Sequence, residues 1–196
     1  MRGVEHMPRL YDAFMEAMEP FGLAAWRRRL TAKARGSTLE VGCGTGRNLP
    51  LYRDAARLVA TEPDLRLLTV ARRRAPGVPL VVARAEALPF AGESFETVVS
   101  SLVFCSVDEP RHGLGEIARV LAADGRLRMM EHVRHTHRFL ARLQDLAQPS
   151  WTWLTGGCRP NRDTEAAVEH AGFSIDASTR RARGAMRLFS ASRSPA

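Results

Sequence analysis

Two carboxylates flank a glycine-rich turn, and each stands at the end of a short apolar run. Glu40 precedes the turn at 42–46, in which every second residue is glycine, and Glu62 ends the next run. Such a turn between a strand and a helix lets a nucleotide approach the backbone. Glu40 can receive an ammonium but would repel a pyrophosphate, and Glu62 can accept both hydroxyls of a ribose. Arg47 stands where the dinucleotide fingerprint GxGxxG needs a small residue, so the pattern disfavours NAD.

A histidine that follows a later apolar run is the candidate general base. His132 comes directly after Glu131, at the end of a predicted strand that should point at the cofactor, and imidazole titrates near neutral pH. The alternative is a structural histidine hydrogen-bonded beside Glu131. His135 and His137 follow at short spacing, but in a predicted loop without a fourth ligand, so we expect no metal.

The cysteines and tryptophans give weaker signals. Cys43, Cys105 and Cys158 are far apart and form no CxxC pair, which predicts reduced thiols without a disulfide framework or a zinc site. Cys43 and Cys105 suit small core or loop positions, and an accessible Cys105 thiol near the site is the alternative. The tryptophan-rich stretch 151–154 is interpreted either as plain core or as a hydrophobic wall over the substrate.

Alternating strands and helices must position these residues. From residue 38 onward short apolar runs alternate with helical stretches, which predicts an α/β fold with a parallel sheet. The predicted strands cover 38–41, 58–61, 80–83, 97–102 and 126–130. The predicted helices cover 49–53, 65–74, 111–121, 137–147 and 164–171, with a turn at Asp124 and Gly125 before the strand at 126. Two further extended runs, 173–178 and 185–192, suit a closing hairpin around Gly184.

The N-terminal segment has a different pattern. Apolar residues recur at helical spacing over 10–26, and Pro20 predicts a break, so we expect an amphipathic helix or helix pair. We interpret 1–35 as a helical lid on a core at 36–196, and a surface for an apolar substrate or a membrane is the alternative. A length of 196 residues with 45% apolar composition suits one domain.

The charge and hydropathy exclude some classes of partner. The net charge of +8 comes almost wholly from arginine, with Lys33 the lone lysine, as GC-rich coding produces. The arginine runs at 27–29 and 72–74 lack interleaved aromatics, so we expect solvated helix faces and no nucleic-acid partner. No stretch reaches the roughly 18 apolar residues of a membrane span, which predicts a cytoplasmic protein without integral membrane association. The sequence leaves the oligomeric state open.

The ordered motifs together resemble the class I S-adenosylmethionine (SAM)-dependent methyltransferases of the UbiE-like type. The resemblance covers about 11–173 and implies a Rossmann-like fold with an open, mostly parallel sheet of about seven strands and helices on both faces. It implies SAM as the cofactor and S-adenosylhomocysteine as the product. The segments that carry it are 40–46, 61–64, 85–90, 94–100, 119–125 and 126–133.

Carried over by position, the resemblance implies a set of cofactor contacts. One departure concerns Arg84, since the family usually has an aspartate there and arginine offers no acceptor to the adenine amino group. Adenine recognition would then depend on backbone groups, on Glu86 or on stacking of Arg84. The implied cofactor-binding residues are Glu40, Gly42, Cys43, Gly44, Gly46, Asn48, Glu62, Pro63, Ala85, Glu86, Ser101 and Leu102.

Within this superfamily the chain is most similar to a methyltransferase-like group that includes alkyl thiol methyltransferases. The likeness rests on 101–107, 131–133, 144–151, 157–158 and 161–164. It implies methyl transfer to a small, apolar acceptor, with a thiol favoured, and places Trp151 and Arg162 at the substrate and His132 with Glu131 in catalysis. Quinone precursors and phosphatidylethanolamine are alternative acceptors. An inactive SAM-binding regulatory module is the alternative of another class.

Overall fold

The N-terminal segment is a helix pair. The computed structural model describes residues 3–4 and 7–194. Helix α1 (Pro8–Met18) leads through a 3-10 turn at Glu19–Phe21 into α2 (Leu23–Thr31). Gly22 joins them with φ +109°, a left-handed conformation that suits a residue without Cβ. The predicted helix pair with a break at Pro20 is confirmed.

The central part alternates strands and helices as predicted. The helix predicted at 49–53 is a single 3-10 turn, Leu49–Leu51. The strand predicted from 126 begins five residues earlier, and the predicted turn at Asp124 and Gly125 lies within a bulge where its pairing register shifts. The elements are β1 (Gly36–Val41), β2 (Ala55–Thr61), α3 (Leu65–Arg74), β3 (Leu80–Val81), β4 (Phe95–Ser101), α4 (Pro110–Val120) and β5 (Leu121–His132).

The C-terminal part differs from prediction in two places. Helix α5 continues through Pro149 to Thr155, whereas the prediction ended at residue 147 because proline interrupts helical hydrogen bonding. The turn at Gly184 joins β7 to β8, so the two predicted runs pair as β6 and β8 without being consecutive strands. The elements are α5 (Arg138–Thr155), α6 (Thr164–His170), β6 (Phe173–Ile175), β7 (Arg181–Arg183) and β8 (Met186–Arg193).

The strands form one mostly parallel sheet. Its order is β3-β2-β1-β4-β5-β8-β6, and β7 pairs with β8. The first five strands pair in parallel, and β8 runs antiparallel to β5, β6 and β7. The eight described strands confirm the predicted open α/β sheet of about seven, and β7 is the addition.

Helices cover both faces of the sheet. Successive residues of a strand point to opposite faces, and Val98 and Val99 of β4 belong to different core clusters. Val98 packs with Ile117 of α4, whereas Val99 packs with Leu30 of α2. In the described part of the chain, no helix has both the length and the apolarity to cross a membrane.

Candidate functional site

A cavity of about 880 Å³ opens beyond the carboxyl ends of β1, β2, β4 and β5. This is where open α/β sheets bind their ligands. Ten of the residues predicted for the site line it: Gly42, Gly44, Glu62, Pro63, Ala85, Glu86, Ser101, Leu102, His132 and Trp151. We define its glycine end as Gly42, Gly44 and Glu62, and its thiol end as Cys105, His132, Trp151 and Cys158.

Glu62 ties the glycine turn to the end of β2. Its Oε2 accepts a hydrogen bond from the backbone N–H of Gly44 at 3.0 Å, and its Oε1 accepts one from the N–H of Asp64 at 3.1 Å. Asp64 in turn caps α3, accepting from the N–H of Arg66. The Glu62 side chain is nearly buried and lines the cavity.

The glycines of the turn serve different purposes. Gly42 and Gly46 both have positive φ, +67° and +78°. A Cβ on Gly42 would come within 2.5 Å of Val103, and one on Gly46 within 2.9 Å of Ala71 in α3. Gly42 therefore keeps the turn close to the loop after β4, whereas Gly46 lets α3 pack against the turn.

Glu40 lies behind the turn and does not line the cavity. It is buried, and its Oε1 accepts a hydrogen bond from Asn48 Nδ2 at 2.8 Å, while Arg27 donates to Asn48 Oδ1. Burial raises the pKa of Glu40 to about 7, against the lowering effects of Asn48, Tyr52 and Arg27. Glu40 Oε2 and the Tyr52 hydroxyl are buried without hydrogen-bond partners at normal distance. Asn48 thus holds one carboxylate oxygen by a direct hydrogen bond, and Tyr52 interacts with the carboxylate at a longer distance.

Polar contacts fasten α1 to the glycine turn. The Thr45 hydroxyl donates to Asp12 Oδ1 at 2.7 Å, and Arg74 of α3 donates to Asp12 Oδ2 at 2.9 Å and to the Thr45 carbonyl. Arg47 adds an ion pair with Asp12. Arg47, whose position in the glycine turn disfavoured a dinucleotide site, therefore contacts the N-terminal helix α1.

Arg84 pairs with two carboxylates at the predicted adenine position. Its Nη2 lies 3.2 Å from Glu86 Oε1 and 3.0 Å from Asp108 Oδ2. All three residues line the cavity. The Asp108 carboxylate supplies the hydrogen-bond acceptor that Arg84 lacks. Sequence reasoning missed Asp108 because it comes from a different segment, the loop before α4.

Glu131 is fully buried and does not line the cavity. Its Oε1 accepts hydrogen bonds from the Ser100 hydroxyl and from the backbone N–H groups of Val103 and Phe104, at 3.1 to 3.2 Å. Burial raises its pKa to about 7 although these bonds lower it. The contacts indicate that Glu131 positions the loop after β4, which differs from the predicted part in catalysis.

His132 lies beside two cysteines at the thiol end. The ligating atoms of Cys105, His132 and Cys158 all lie within 4.8 Å of one another. A hydrogen bond with the Cys105 thiol, then contacts with His132 and Trp151, lower the pKa of Cys158 to about 5 despite burial. Sequence reasoning missed the cluster because its three residues come from segments that are far apart in the chain.

The other predicted histidines and Cys43 lie outside this cluster. His135 Nδ1 accepts from the backbone N–H of His137, a local contact within the loop before α5. Cys43 is buried in the glycine turn, where burial raises its thiol pKa. His132, His135 and His137 therefore do not form one cluster.

Trp151 and Arg162 differ in their relation to the cavity. Trp151 lines it and makes an edge contact with Phe14 of α1, with ring centroids 6.4 Å apart. Trp153 points outward and is 81% exposed. Arg162 does not line the cavity and donates from Nη1 to the backbone carbonyls of Phe104 and Val107. The hydrophobic wall thus includes Trp151, while Arg162 supports the loop behind it.

The chain is similar to known methyltransferases. Residues 39–129 match a family model described as a methyltransferase domain. A thiol S-methyltransferase of Homo sapiens is 34% identical over 73% of this chain and 62% of its own length. A demethylmenaquinone methyltransferase of Renibacterium salmoninarum is 35% identical over 62% of this chain and 53% of its own length. The chain thus spans about 60% of the length of the thiol S-methyltransferases that it matches.

A solved structure extends this similarity to the fold. A SAM-dependent methyltransferase of Thermotoga maritima superposes with a TM-score of 0.66 at 23% identity, over 93% of this chain and 98% of its own. The likeness therefore includes the elements outside residues 39–129.

Proposed function

We propose that the chain is a class I SAM-dependent methyltransferase that transfers the methyl group of SAM to a small apolar acceptor, with a thiol favoured. The match of residues 39–129 to a methyltransferase-domain model supports the predicted family and SAM as its cofactor, and the superposed structure supports the fold. The observation that carries the proposal is one continuous cavity with a cofactor cradle at its glycine end and apolar and sulfur-bearing side chains at its thiol end.

The residues at the glycine end fit SAM. Gly42 has no room for a side chain beside Val103, and Glu62 presents a carboxylate between two backbone amides. Glu40 lies buried behind the same turn, where its carboxylate suits a nearby ammonium. When bound, SAM supplies an electrophilic methyl group on a sulfonium. The chain has to hold it, exclude water and align the acceptor.

We propose that residues 1–35 form the lid of this cavity. Tyr11, Phe14 and Met15 of α1 line it, and Asp12 fastens the helix to the turn. The apolar lining by Phe14 and Trp151 favours an acceptor with an apolar chain over a polar metabolite. His132 is the titratable side chain next to the two thiols, so it would contact an acceptor placed there.

The test is SAM turnover with matched acceptors. We expect S-adenosylhomocysteine to form from SAM with a medium-chain alkanethiol, and much more slowly with the corresponding alcohol. If the protein binds SAM but forms S-adenosylhomocysteine with neither the thiol nor the alcohol, the result would instead indicate an inactive SAM-binding module.

A second candidate acceptor is a quinone precursor. The similarity to a demethylmenaquinone methyltransferase favours it, and the apolar lining also suits a quinone ring with an isoprenoid side chain. Demethylmenaquinone and phosphatidylethanolamine vesicles therefore belong in the same assay. Turnover with either of them and none with thiols would replace the thiol proposal.

A further inference from the structure

Three potential metal ligands meet at the thiol end although they come from separate segments. Cys105 follows β4, His132 ends β5, and Cys158 follows α5. The backbone N–H of Arg159 donates to the Cys105 carbonyl at 2.8 Å, which ties the two cysteine segments together. Thr152 of α5 donates to the Cys158 carbonyl at 2.8 Å. Backbone contacts thus hold both thiols where they are, independently of any bound ligand.

The separation of the donor atoms suits one small cation. Zinc takes thiolate sulfur at about 2.3 Å and imidazole nitrogen at about 2.0 Å, so neighbouring ligands of a tetrahedral site lie about 3.5 Å apart. The sulfur and nitrogen atoms of this cluster all lie within 4.8 Å of one another. A bound ion would therefore draw together any pair of donor atoms that lies farther apart than about 3.5 Å.

The donor set selects a thiophilic cation. Two sulfurs and one imidazole suit zinc, whereas magnesium and calcium require oxygen ligands. Both cysteines are buried, at 2% and 4% exposure, so two thiolates without a cation would be costly there. The buried Trp151 indole N–H has no other hydrogen-bond partner and lies on the Cys158 side, where it can donate to a ligating sulfur.

The position of the cluster leaves one coordination site open. Among the described residues, the group contains no fourth cysteine, histidine or carboxylate. All three of its members line the cavity, so the remaining position faces the cavity interior. Three protein ligands with one open position are the arrangement of catalytic zinc sites, including those built from two cysteines and one histidine.

We propose that Cys105, His132 and Cys158 bind one zinc ion whose open position takes the sulfur of the acceptor thiol. The second half of this inference rests on the proposed function, and the first half does not. Zinc binding displaces a proton from each thiol that still carries one. It makes His132 a ligand, so the ion and not the imidazole ionises the acceptor.

The proposed reaction balances without a further reactant. The acceptor thiol displaces water from zinc and loses its proton to solvent, because a coordinated thiol is deprotonated. Its sulfur then forms a bond to the methyl carbon while the bond from that carbon to the sulfonium breaks, leaving the electron pair on S-adenosylhomocysteine. The thioether product is a weaker ligand than a thiolate and leaves the ion.

Metal binding is tested on the full chain without any turnover. After chelator dialysis under a phosphine reductant, cobalt(II) should bind to one equivalent and give sulfur-to-cobalt charge-transfer bands with intense tetrahedral ligand-field bands, which zinc then displaces. Absence of these bands at saturating cobalt, together with no zinc retained on gel filtration, would overturn the proposal.

Single substitutions assign the ligands. Cys105→Ser, Cys158→Ser and His132→Asn should each weaken zinc binding more than the 10- to 100-fold typical of outer-shell changes. His135→Asn and His170→Asn are controls that should keep full zinc binding, since neither residue belongs to the cluster. Binding of S-adenosylhomocysteine reports the fold of every variant. Unchanged zinc binding in all three ligand variants would refute the site.

The open position is tested with an acceptor. An alkanethiol added to the cobalt form should raise the charge-transfer intensity by about half, as the thiolate ligands increase from two to three. If thiols are methylated equally by metal-free and zinc-loaded protein, the role of zinc in holding the acceptor is refuted and the proposed function stands. If zinc and the thiol bind but no methyl group is transferred, the proposed function fails and the site stands.

Discussion

The two ends of the cavity are built in different ways. The glycine end comes from one continuous stretch and the strand beside it, with Glu62 bonded to the N–H groups of Gly44 and Asp64. The thiol end is assembled from the loop after β4, the end of β5 and the last part of α5 with the loop that follows it, which meet only in the folded chain. The first is therefore fixed by local backbone geometry, and the second depends on how β5 and α5 pack. We expect substitutions at the glycine end to act on the cofactor and those at the thiol end to act on the acceptor.

The largest expected effect is at the glycine end. Glu62→Ala removes the carboxylate proposed for the ribose, which also accepts from two backbone N–H groups, each hydrogen bond to a charged group contributing about 1.5–3 kcal/mol. We expect affinity for S-adenosylhomocysteine to fall about 100-fold or more, measured by calorimetry. Glu169→Ala, an exposed glutamate of α6 outside the cavity, is the control. An unchanged affinity of the Glu62 variant would remove this residue from the cofactor site.

The next effect arises at the same glycine turn but concerns the stability of the fold instead of ligand binding. Gly46→Ala places a Cβ 2.9 Å from Ala71 at φ +78°, so we expect a loss of roughly 2–4 kcal/mol in the free energy of unfolding. Gly115→Ala is the matched control, since its Cβ meets nothing within 4 Å, and alanine in α4 should stabilise by about 1 kcal/mol. Urea denaturation measures both. Equal effects would mean that α3 does not pack closely on the turn.

A pH-dependent effect tests the buried acid behind the glycine end. Glu40 has a folded pKa of about 7 against an ordinary value of 4.5, so its contribution to stability is full below 4.5 and is lost as pH rises through 7. Glu40→Gln keeps an acceptor for Asn48 and does not titrate. We therefore expect its stability relative to the native protein to rise between these pH values, by up to about 3 kcal/mol.

Denaturation of both proteins at pH 5 and pH 8 measures this difference. Other titrating groups cancel in the comparison, because they are common to both proteins. A difference that does not change with pH would mean that Glu40 is not buried as a neutral acid in the cofactor-free chain.

The contrast between the two ends also explains how far the sequence alone predicts this molecule. The turn at 42–46 and the acids around it were predictable because glycine spacing and strand ends are local features. The boundaries of α5 were not, since Pro149 is accommodated inside a helix that sequence rules end before it. The approach of Cys105 to Cys158 and His132 was not predictable, because no motif spacing links residues that meet only through tertiary packing.

Two residue assignments show the same limit. Glu131 stands beside His132 in sequence, yet successive strand residues face opposite ways, so one is buried against the loop after β4 and the other reaches the cavity. Arg162 lies in a motif segment shared with thiol methyltransferases, but its side chain supports backbone carbonyls behind the cavity wall. Motif membership located the region correctly without giving the direction of each side chain.

The smallest expected effect is at the lid, and it tests whether the lid contributes to acceptor binding alone or to cofactor binding as well. Phe14 lines the cavity and contacts Trp151 edge-on, and aromatic pairs of this kind contribute about 0.5–1.5 kcal/mol. Phe14→Ala should therefore raise KM for a medium-chain alkanethiol about fivefold, while affinity for S-adenosylhomocysteine changes less than about twofold. Phe139→Ala, an exposed phenylalanine of α5 outside the cavity, should change neither. Because Asp12 fastens α1 to the turn independently of Phe14, a parallel loss of cofactor affinity would show that the lid couples the two ends.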